Sequence, residues 1–217
     1  MGNGVMISPS ILASDFGELR STIKRLNAWK VDRIHIDVMD GNFVPNITIG
    51  PQAIAAIRDA TKIQFETHLM IEKPHRYIKE FVDSGSDIII VHCEAEGNST
   101  RSINLIKRYG AKAGIAISPQ TNFEVARSYL SRVDTFLVMG VHPGFGGQRF
   151  MQKSLSKIAQ ARARANDLGC DTHIAVDGGI NQDNAKAVVL AGADELVVGT
   201  ALFGSKNPIA LIKKLRN

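Results

Sequence analysis

The sequence has few of the features that mark secreted or membrane proteins. Only two of its 217 residues are cysteine, Cys93 and Cys170, so a disulfide framework is excluded as the basis of the fold. No apolar run approaches the roughly 20 residues that a membrane-spanning helix requires. The N-terminal segment MGNGVMIS has no basic stretch followed by a long apolar core, as a signal peptide would. We therefore expect a cytoplasmic protein with reduced thiols and no membrane partner.

Aromatic residues are also scarce, at 6% of the chain, and they do not interleave with basic residues. The 26 Lys and Arg residues outnumber the 21 Asp and Glu residues, which gives a net charge of +5. This excess is spread over segments with helical periodicity, whereas nucleic-acid-binding surfaces concentrate it beside aromatic side chains. The basic residues are therefore interpreted as solvent-exposed helix faces, and we expect no nucleic acid partner.

Short β-branched runs alternate along the chain with longer stretches of helical period, in a composition that is 44% hydrophobic. The predicted strands are 5–12, 33–39, 63–70, 87–93, 112–117, 135–141, 172–176 and 195–199. The predicted helices are Asp15 to Trp29, Pro51 to Asp59, Pro74 to Ser84, Ser99 to Tyr109, Phe123 to Ser131, Gln152 to Leu168, Gln182 to Ala191 and Pro208 to Arg216. Proline in the first turn of several of these segments is typical of helix starts.

Strict alternation of eight strands with eight helices predicts parallel strands joined by right-handed crossovers. Two architectures satisfy this pattern, an open doubly wound sheet and a closed (β/α)8 barrel. Eight units in 217 residues, with no linker between them, favour a single-domain (β/α)8 TIM barrel over residues 1–217. Glycines in SGSD, YGAK, LGCD and AGAD follow four of the helices and predict left-handed helix ends.

Ionisable residues interrupt the buried strand RIHIDVMDG, residues 33–41. His35, Asp37 and Met39 share one face of this strand, and buried charges need a partner. His68 and Asp177 lie near the C-terminal ends of the third and seventh predicted strands, which is where the active sites of such barrels lie. Two histidines and two aspartates suit one divalent metal ion, and this donor set does not select among Zn, Mn, Fe(II) and Co.

The other titratable residues near the strands are either a rival pair of metal ligands or residues with predicted structural roles. His92 and Glu94 are spaced like His35 and Asp37 and are the rival ligand pair; we expect them to support the ligands or line the pocket. His75 and His173 lie away from the strand ends, so surface or structural roles are predicted for them. Cys93 alternates away from His92 and is predicted to be a core thiol.

Three glycine-bearing segments follow consecutive strands near the end of the chain: HPGFGGQ (142–148), DGGI and VGTALF. Glycine lets the backbone approach an anion closely, and backbone N–H groups at a helix start bind it. One such segment usually marks only a turn. Three of them after strands six, seven and eight match the phosphate-binding corner of (β/α)8 barrels.

The segments PSILASDF, HIDVMDGNFVPN, THLMI, HCE, HPGFGGQRF, VDGGI and VGTALF are similar, from end to end of the chain, to the ribulose-phosphate 3-epimerase family. The resemblance implies a metal-dependent isomerase of the pentose phosphate pathway. Such an enzyme interconverts D-ribulose 5-phosphate and D-xylulose 5-phosphate at C3, with two aspartates as acid and base and a metal-stabilised enediolate. The resemblance also implies a homo-oligomer, either a dimer or a hexamer.

Carried over to this sequence, the resemblance implies that the metal ligands are His35, Asp37, His68 and Asp177. Asp37 and Asp177 are implied as the catalytic acid/base pair. The implied substrate-binding residues are Ser10, Met39, His68, Met70, Gly144, Phe145, Gly146, Gly147, Asp177, Gly178, Gly179, Gly199 and Thr200. Three positions depart from the commonest family pattern: Gly140 replaces Ser or Thr, His142 replaces Asn or Glu, and Thr200 replaces Ser.

Three alternatives stay open at this point. An epimerase of the same superfamily acting on allulose 6-phosphate is compatible with Thr200, although PGFGGQ and VDGGI favour the pentose enzyme. A catalytically silent phosphate-binding barrel is disfavoured because both aspartates and both histidines are present. A nucleic-acid-binding protein is the most distant alternative, and salt-dependent binding of DNA or RNA would reveal it.

Overall fold

The structure, a computed structural model, describes residues 4–216 and contains eight parallel strands. The strands are β1 (Met6–Pro9), β2 (Arg33–Met39), β3 (Gln64–Met70), β4 (Ile88–His92), β5 (Lys112–Ile117), β6 (Thr135–Met139), β7 (His173–Asp177) and β8 (Glu195–Val198). Their order is β1-β8-β7-β6-β5-β4-β3-β2, and a parallel bridge between Ser10 and His35 joins the two edge strands. The predicted (β/α)8 barrel is therefore confirmed. Residues 1–3 and 217 of the predicted domain lie outside the described residues.

The part of the chain that the structure describes has nine α-helices, one more than the sequence predicts. They are α1 (Leu19–Trp29), α2 (Pro51–Arg58), α3 (Ile78–Asp83), α4 (Ser99–Arg108), α5 (Phe123–Ala126), α6 (Ser154–Leu168), α7 (Ala185–Leu190), α8 (Thr200–Phe203) and α9 (Pro208–Arg216). The additional helix is α8, a single turn inside VGTALF, where we expected a loop. A four-residue helix is too short to show a periodic pattern. Within residues 4–216, no helix has the length and apolar character needed to cross a membrane.

Several predicted boundaries are wrong because tight 3-10 turns replace the ends of regular elements. The predicted strand 5–12 stops at Pro9, and Ile11–Ala13 form a 3-10 turn. The predicted helix 123–131 divides into α5 and a 3-10 segment, Arg127–Arg132. Further 3-10 turns at Phe16–Glu18 and Pro74–Arg76 precede α1 and α3. An i, i+3 spacing fits 3-10 and α turns equally, so the sequence pattern does not separate them.

The four predicted helix-ending glycines, Gly85, Gly110, Gly169 and Gly192, adopt the left-handed conformation, with φ of +95°, +87°, +59° and +114°. A Cβ atom at Gly85 would lie 2.5 Å from the side chain of Arg58, so this position also lacks space for a side chain. The glycines let each helix end sharply and return the chain to the barrel.

The barrel interior is divided into an apolar half and a charged half. Seven buried side chains fill the apolar half: Ile88, Ile90, Ala116, Leu137, Met139, Ala175 and Val197. The charged half, on β1, β2, β3 and β8, buries Ser8, Arg33, His35, Glu66 and Glu195. The larger apolar core lies between the outer faces of the strands and the helices. Ionisable groups are thus concentrated beside the strands that carry the predicted ligands.

Lys157 on α6 anchors the loop that follows β5 at the C-terminal end of the barrel. Its buried Nζ donates hydrogen bonds to the carbonyl oxygens of Ser118 (2.6 Å), Pro119 (3.2 Å) and Thr121 (2.6 Å). Lys157→Met should lower the free energy of unfolding by about 1–3 kcal/mol, because buried carbonyls lose their donor. Urea denaturation measures this change. Lys153→Met, at an exposed lysine close to Lys157 in the chain, is the matched control and should change the free energy of unfolding by less than about 0.5 kcal/mol. Equal effects of the two substitutions would contradict the anchoring role.

Candidate active site

Four predicted ligand residues converge at the C-terminal end of the barrel. One ligand atom from each of His35, Asp37, His68 and Asp177 lies within 4.8 Å of the others. Asp37 Oδ1 is 3.5 Å from His35 Nε2 and 3.4 Å from His68 Nδ1. Asp177 Oδ2 is 3.9 Å and 3.8 Å from the same two nitrogens. The cross-strand register, which places Asp37 opposite His68, brings these groups onto one level.

Within residues 4–216, the nitrogen atoms that face this cluster have no hydrogen-bond partner. His35 Nε2 and His68 Nδ1 are buried and unpaired, although both rings are 0% exposed. Buried polar atoms in folded proteins nearly always have a partner. Two unpaired imidazole nitrogens facing two carboxylate oxygens are the donor set expected for one divalent metal ion. The residues present therefore fit the metal site that the sequence predicts, and they do not select one ion.

The pKa values within the cluster are strongly perturbed. Burial, followed by the charge of Asp37, raises the pKa of Asp177 to about 7. Burial also acts to raise the pKa of Asp37, but the neighbouring rings of His35 and His68 outweigh it and lower that pKa below its usual range. Burial lowers the pKa of His68 to about 4. The two carboxyl groups thus have widely separated pKa values, as acid and base pairs in enzymes do.

Each of the two histidines in the cluster is held from behind by another buried residue. Glu66 Oε2 lies 2.8 Å from His35 Nδ1, and His92 Nε2 lies 2.9 Å from His68 Nε2. These contacts direct the unpaired nitrogens towards the centre of the cluster. His92, predicted as a rival ligand or a support, therefore lies behind His68, outside the group of four converging residues.

A buried ionic network below the cluster is absent from the sequence-based prediction. Arg33 Nη1 lies 3.2 Å from Glu66 Oε1 and 2.5 Å from Glu195 Oε2. Glu195 also accepts from the Ser8 hydroxyl and lies 2.9 Å from His173 Nε2. Burial and the nearby Glu195 raise the pKa of Glu66. Burial opposes the ionisation of Glu195, but His173 and Arg33 lower its pKa overall. Arg33 is therefore shared between two buried carboxylates, and His173 contacts one of them.

A cavity of about 550 Å³ opens above the cluster, in the size range of small-molecule sites. The predicted substrate-binding residues that line it are Ser10, Met39, Met70, Gly144, Phe145, Gly146, Gly147, Asp177, Gly178, Gly179, Gly199 and Thr200. His68, also predicted to bind substrate, is fully buried and is not among the lining residues. The sequence-based prediction missed Gln148, Phe150, Asn181 and Asn184, which line the cavity beside the glycine loops.

Contacts around the cavity fix Asp37 and join two loops. Ser10 Oγ donates to Asp37 Oδ2 at 2.6 Å, which leaves Oδ1 facing the two histidines. Asn46 Nδ2 in the loop after β2 donates to the carbonyl oxygen of Gly144 in the loop after β6, at 2.9 Å. The two loops are therefore connected at the edge of the cavity.

Backbone rather than side chains forms the wall of the cavity at the glycine loops. Gly178 and Gly179 have φ of +107° and +71°, and a Cβ at Gly179 would lie 2.4 Å from the backbone nitrogen of Phe150. A Cβ at Gly140 would lie 2.4 Å from the Gly178 carbonyl oxygen and 2.6 Å from the Phe150 ring. The Ser or Thr that the resemblance implies at position 140 therefore has no space here. His142, the second departure, is exposed and lines the cavity.

Comparison with known proteins agrees with this geometry. Residues 6–203 match the model of the "Ribulose-phosphate 3 epimerase family". The chain is 44% identical over 213 residues, 98% of each chain, to the ribulose-phosphate 3-epimerase of Bacillus subtilis (strain 168). It is 42% identical over 214 residues to the chloroplastic ribulose-5-phosphate-3-epimerase of Arabidopsis thaliana, covering 98% of this chain and 76% of that one.

Solved structures show the same fold at low sequence identity. A 3-hexulose-6-phosphate synthase superimposes with a TM-score of 0.71 and 16% identity, covering 97% of this chain and 98% of that one. A mutant tryptophan synthase alpha-subunit from Pyrococcus furiosus gives a TM-score of 0.71 and 14% identity, covering 99% and 98%. At this level of identity the likeness supports the barrel fold only.

Proposed function

The chain belongs to the ribulose-phosphate 3-epimerase family and is an isomerase acting on carbohydrate phosphates, and from this premise we propose how its residues carry out the reaction. The substrates are D-ribulose 5-phosphate and D-xylulose 5-phosphate, which differ only in configuration at C3. The observation that carries the proposal is the pairing of Asp37 and Asp177 across one cavity, with separated pKa values.

Inversion at C3 requires a proton to leave one face of the carbon and another to arrive at the opposite face. The C3 proton is acidic because it lies beside the C2 carbonyl, and its loss gives a planar enediolate. Asp37 on β2 and Asp177 on β7 lie three strands apart around the ring, so their carboxyl groups approach the cavity from different sides. One aspartate accepts the proton while the other donates, and the roles reverse in the opposite direction.

The metal ion is proposed to lie among His35, Asp37, His68 and Asp177, where the unpaired histidine nitrogens converge. When bound, a divalent cation polarises the C2 carbonyl and stabilises negative charge on the enediolate oxygens. Met39 and Met70, both almost fully buried, form an apolar wall that excludes water from the reacting carbon. Ser10 orients Asp37 through its hydrogen bond to Oδ2.

The phosphate is proposed to bind at the opposite end of the cavity. The loops at Gly144–Gly147 and Gly178–Gly179 place backbone against this space, and Gly199 and Thr200 lie where α8 begins. Backbone N–H groups in such loops bind phosphate in (β/α)8 barrels. The Thr200 hydroxyl supplies a further donor, so replacement of Ser by Thr keeps the chemistry of this position.

Removal of metal tests the proposed metal requirement. Exhaustive chelation should lower turnover of ribulose 5-phosphate by at least ~10²-fold, since a Lewis-acid role contributes several kcal/mol to the transition state. Addition of Zn, Mn, Fe(II) or Co should restore it, whereas Mg, which prefers oxygen ligands only, should restore little. Full turnover by protein that elemental analysis shows to be metal-free would contradict the proposal.

Substrate choice is tested by comparing kcat/KM for ribulose 5-phosphate and allulose 6-phosphate. We expect the pentose phosphate to be preferred, because PGFGGQ and VDGGI are intact. Preference for the hexose phosphate would assign the chain to the alternative epimerase, and no turnover of either would favour the silent barrel. The resemblance also supports a cytoplasmic homo-oligomer, a dimer or a hexamer, as part of this proposal.

A further inference from the structure

A chain of three side chains runs from the candidate metal site to the neighbouring strand. His68 Nε2 lies 2.9 Å from His92 Nε2, and His92 Nδ1 lies 3.0 Å from Glu94 Oε2. The two imidazole rings are nearly parallel, at 25°, with centroids 5.0 Å apart. Since each ring nitrogen lies about 1 Å from its centroid, a 2.9 Å contact at this separation means that the rings meet edge to edge. The contact is therefore a hydrogen bond rather than a stack.

The direction of the protons along this chain follows from the unpaired nitrogen of His68. If His68 Nδ1 binds a cation through its lone pair, the neutral ring carries its proton on Nε2 and donates to His92 Nε2. His92 must then carry its own proton on Nδ1 and donate to Glu94 Oε2. The opposite order would protonate His68 Nδ1, which could no longer act as a ligand.

Glu94 fixes this order because an ionised carboxylate only accepts hydrogen bonds. Its pKa is lowered to about 2: burial acts to raise it, but the contact with His92 and hydrogen bonds from Thr121 and Ser118, in the loop after β5, outweigh burial. Its second oxygen accepts from the backbone N–H of Ser118 at 2.8 Å, so the carboxylate is also held by the loop after β5. Phe43 packs on the His92 ring, with centroids 4.8 Å apart, and limits its rotation.

We propose that His92 and Glu94 are positioning residues that hold His68 in the tautomer and orientation required to bind the metal ion. This inference rests on the proposed metal site. His35 receives the same support from Glu66 directly, whereas His68 receives it through a second imidazole. Residues that orient metal-binding histidines typically change metal affinity 10–100-fold when they are replaced.

The experiment measures the Kd for Co²⁺ alone by competition with a chromophoric chelator, together with the visible absorption spectrum of the bound Co²⁺. His92→Phe keeps the ring shape but removes the acceptor for His68, and should weaken binding roughly 10–100-fold. Glu94→Gln removes the charge that sets the proton order, and should weaken binding within the same range. Glu96→Gln, the same substitution at an exposed glutamate that pairs with Lys73, is the matched control and should stay within about twofold.

A third variant separates positioning from packing. His92→Gln fits the ring-shaped space less well than His92→Phe but restores a carbonyl acceptor. Tighter Co²⁺ binding by His92→Gln than by His92→Phe supports positioning, and the reverse order, which packing alone predicts, would overturn it. Glu94→Gln with unchanged Kd and spectrum would also overturn the inference, even if the His92 variants fail to fold. If the unaltered protein itself binds no Co²⁺, the failure lies instead with the proposed metal site.

Discussion

Replacement of Asp177 by asparagine should lower kcat for ribulose 5-phosphate by roughly 10²–10⁴-fold while the barrel stays folded. Asparagine has nearly the shape of aspartate but neither accepts nor donates the C3 proton. Asp177 ends β7, and its side chain is 14% exposed towards the cavity, so the change disturbs little packing. Asp37→Asn should have an effect of the same size. Near-normal turnover by either variant would contradict the two-aspartate proposal.

Hydrogen exchange distinguishes the loss of a base from the loss of the metal ion. In D₂O, a variant that keeps one aspartate and its metal should exchange the C3 hydrogen of one epimer with solvent, without forming the other. Complementary behaviour of the two variants, each exchanging a different epimer, is the expected result. Metal content is measured on the same samples, because both aspartates are also proposed ligands.

Asp171→Asn is the matched control for these variants. Asp171 is an exposed carboxylate just before β7, at the opposite end of the strand from Asp177. Its replacement should leave kcat within about twofold, as expected for a surface substitution remote from the site. A loss equal to that of Asp177→Asn would show that charge on this strand, rather than proton transfer, is responsible.

The alternation of β2 and the ionisable residues near the strand ends predict the four converging residues, but they leave His92 and Glu94 as a rival pair that only the structure separates from them. His35 and Asp37 face inwards because side chains two apart share a strand face, and the barrel brings His68 and Asp177 to the same end. The helix-ending glycines were predictable because a left-handed helix end nearly requires glycine. These inferences depend only on local backbone geometry and on the order of the strands.

The buried ionic network depends on register, which the sequence does not display. Strand alternation places Arg33 on the same face as His35, but its partners become visible only when β2 is aligned with β3. In that alignment His35 lies opposite Glu66. Glu195 comes from β8, far away in sequence, and reaches Arg33 only because the barrel closes. The pattern within one strand therefore shows which ionisable side chains share a face. The residues that pair with them belong to other strands and are known only from the register between strands.

Arg33→Met should lower the free energy of unfolding by about 3–5 kcal/mol, the largest stability effect that we predict. Arg33 is 8% exposed and is the cation shared by Glu66 and Glu195, both 0% exposed. Without it two buried carboxylates face each other, and at least one must be protonated for the chain to fold. At roughly 2–4 °C per kcal/mol for a chain of this size, the midpoint of thermal unfolding should fall by roughly 6–20 °C.

A double variant shows whether the loss comes from uncompensated charge. Arg33→Met with Glu195→Gln removes one cation and one anion together, so we expect it to be more stable than Arg33→Met alone. Arg20→Met is the matched control, because Arg20 forms a close pair with Asp59 at the surface and exposed pairs contribute only about 0–1 kcal/mol. If the double variant were as unstable as the single one, packing of the arginine side chain would account for the loss. Recovery of stability would instead show that Arg33 compensates the combined charge of Glu66 and Glu195. Because Glu66 also contacts His35, the network that stabilises the barrel includes the residue behind this candidate metal ligand.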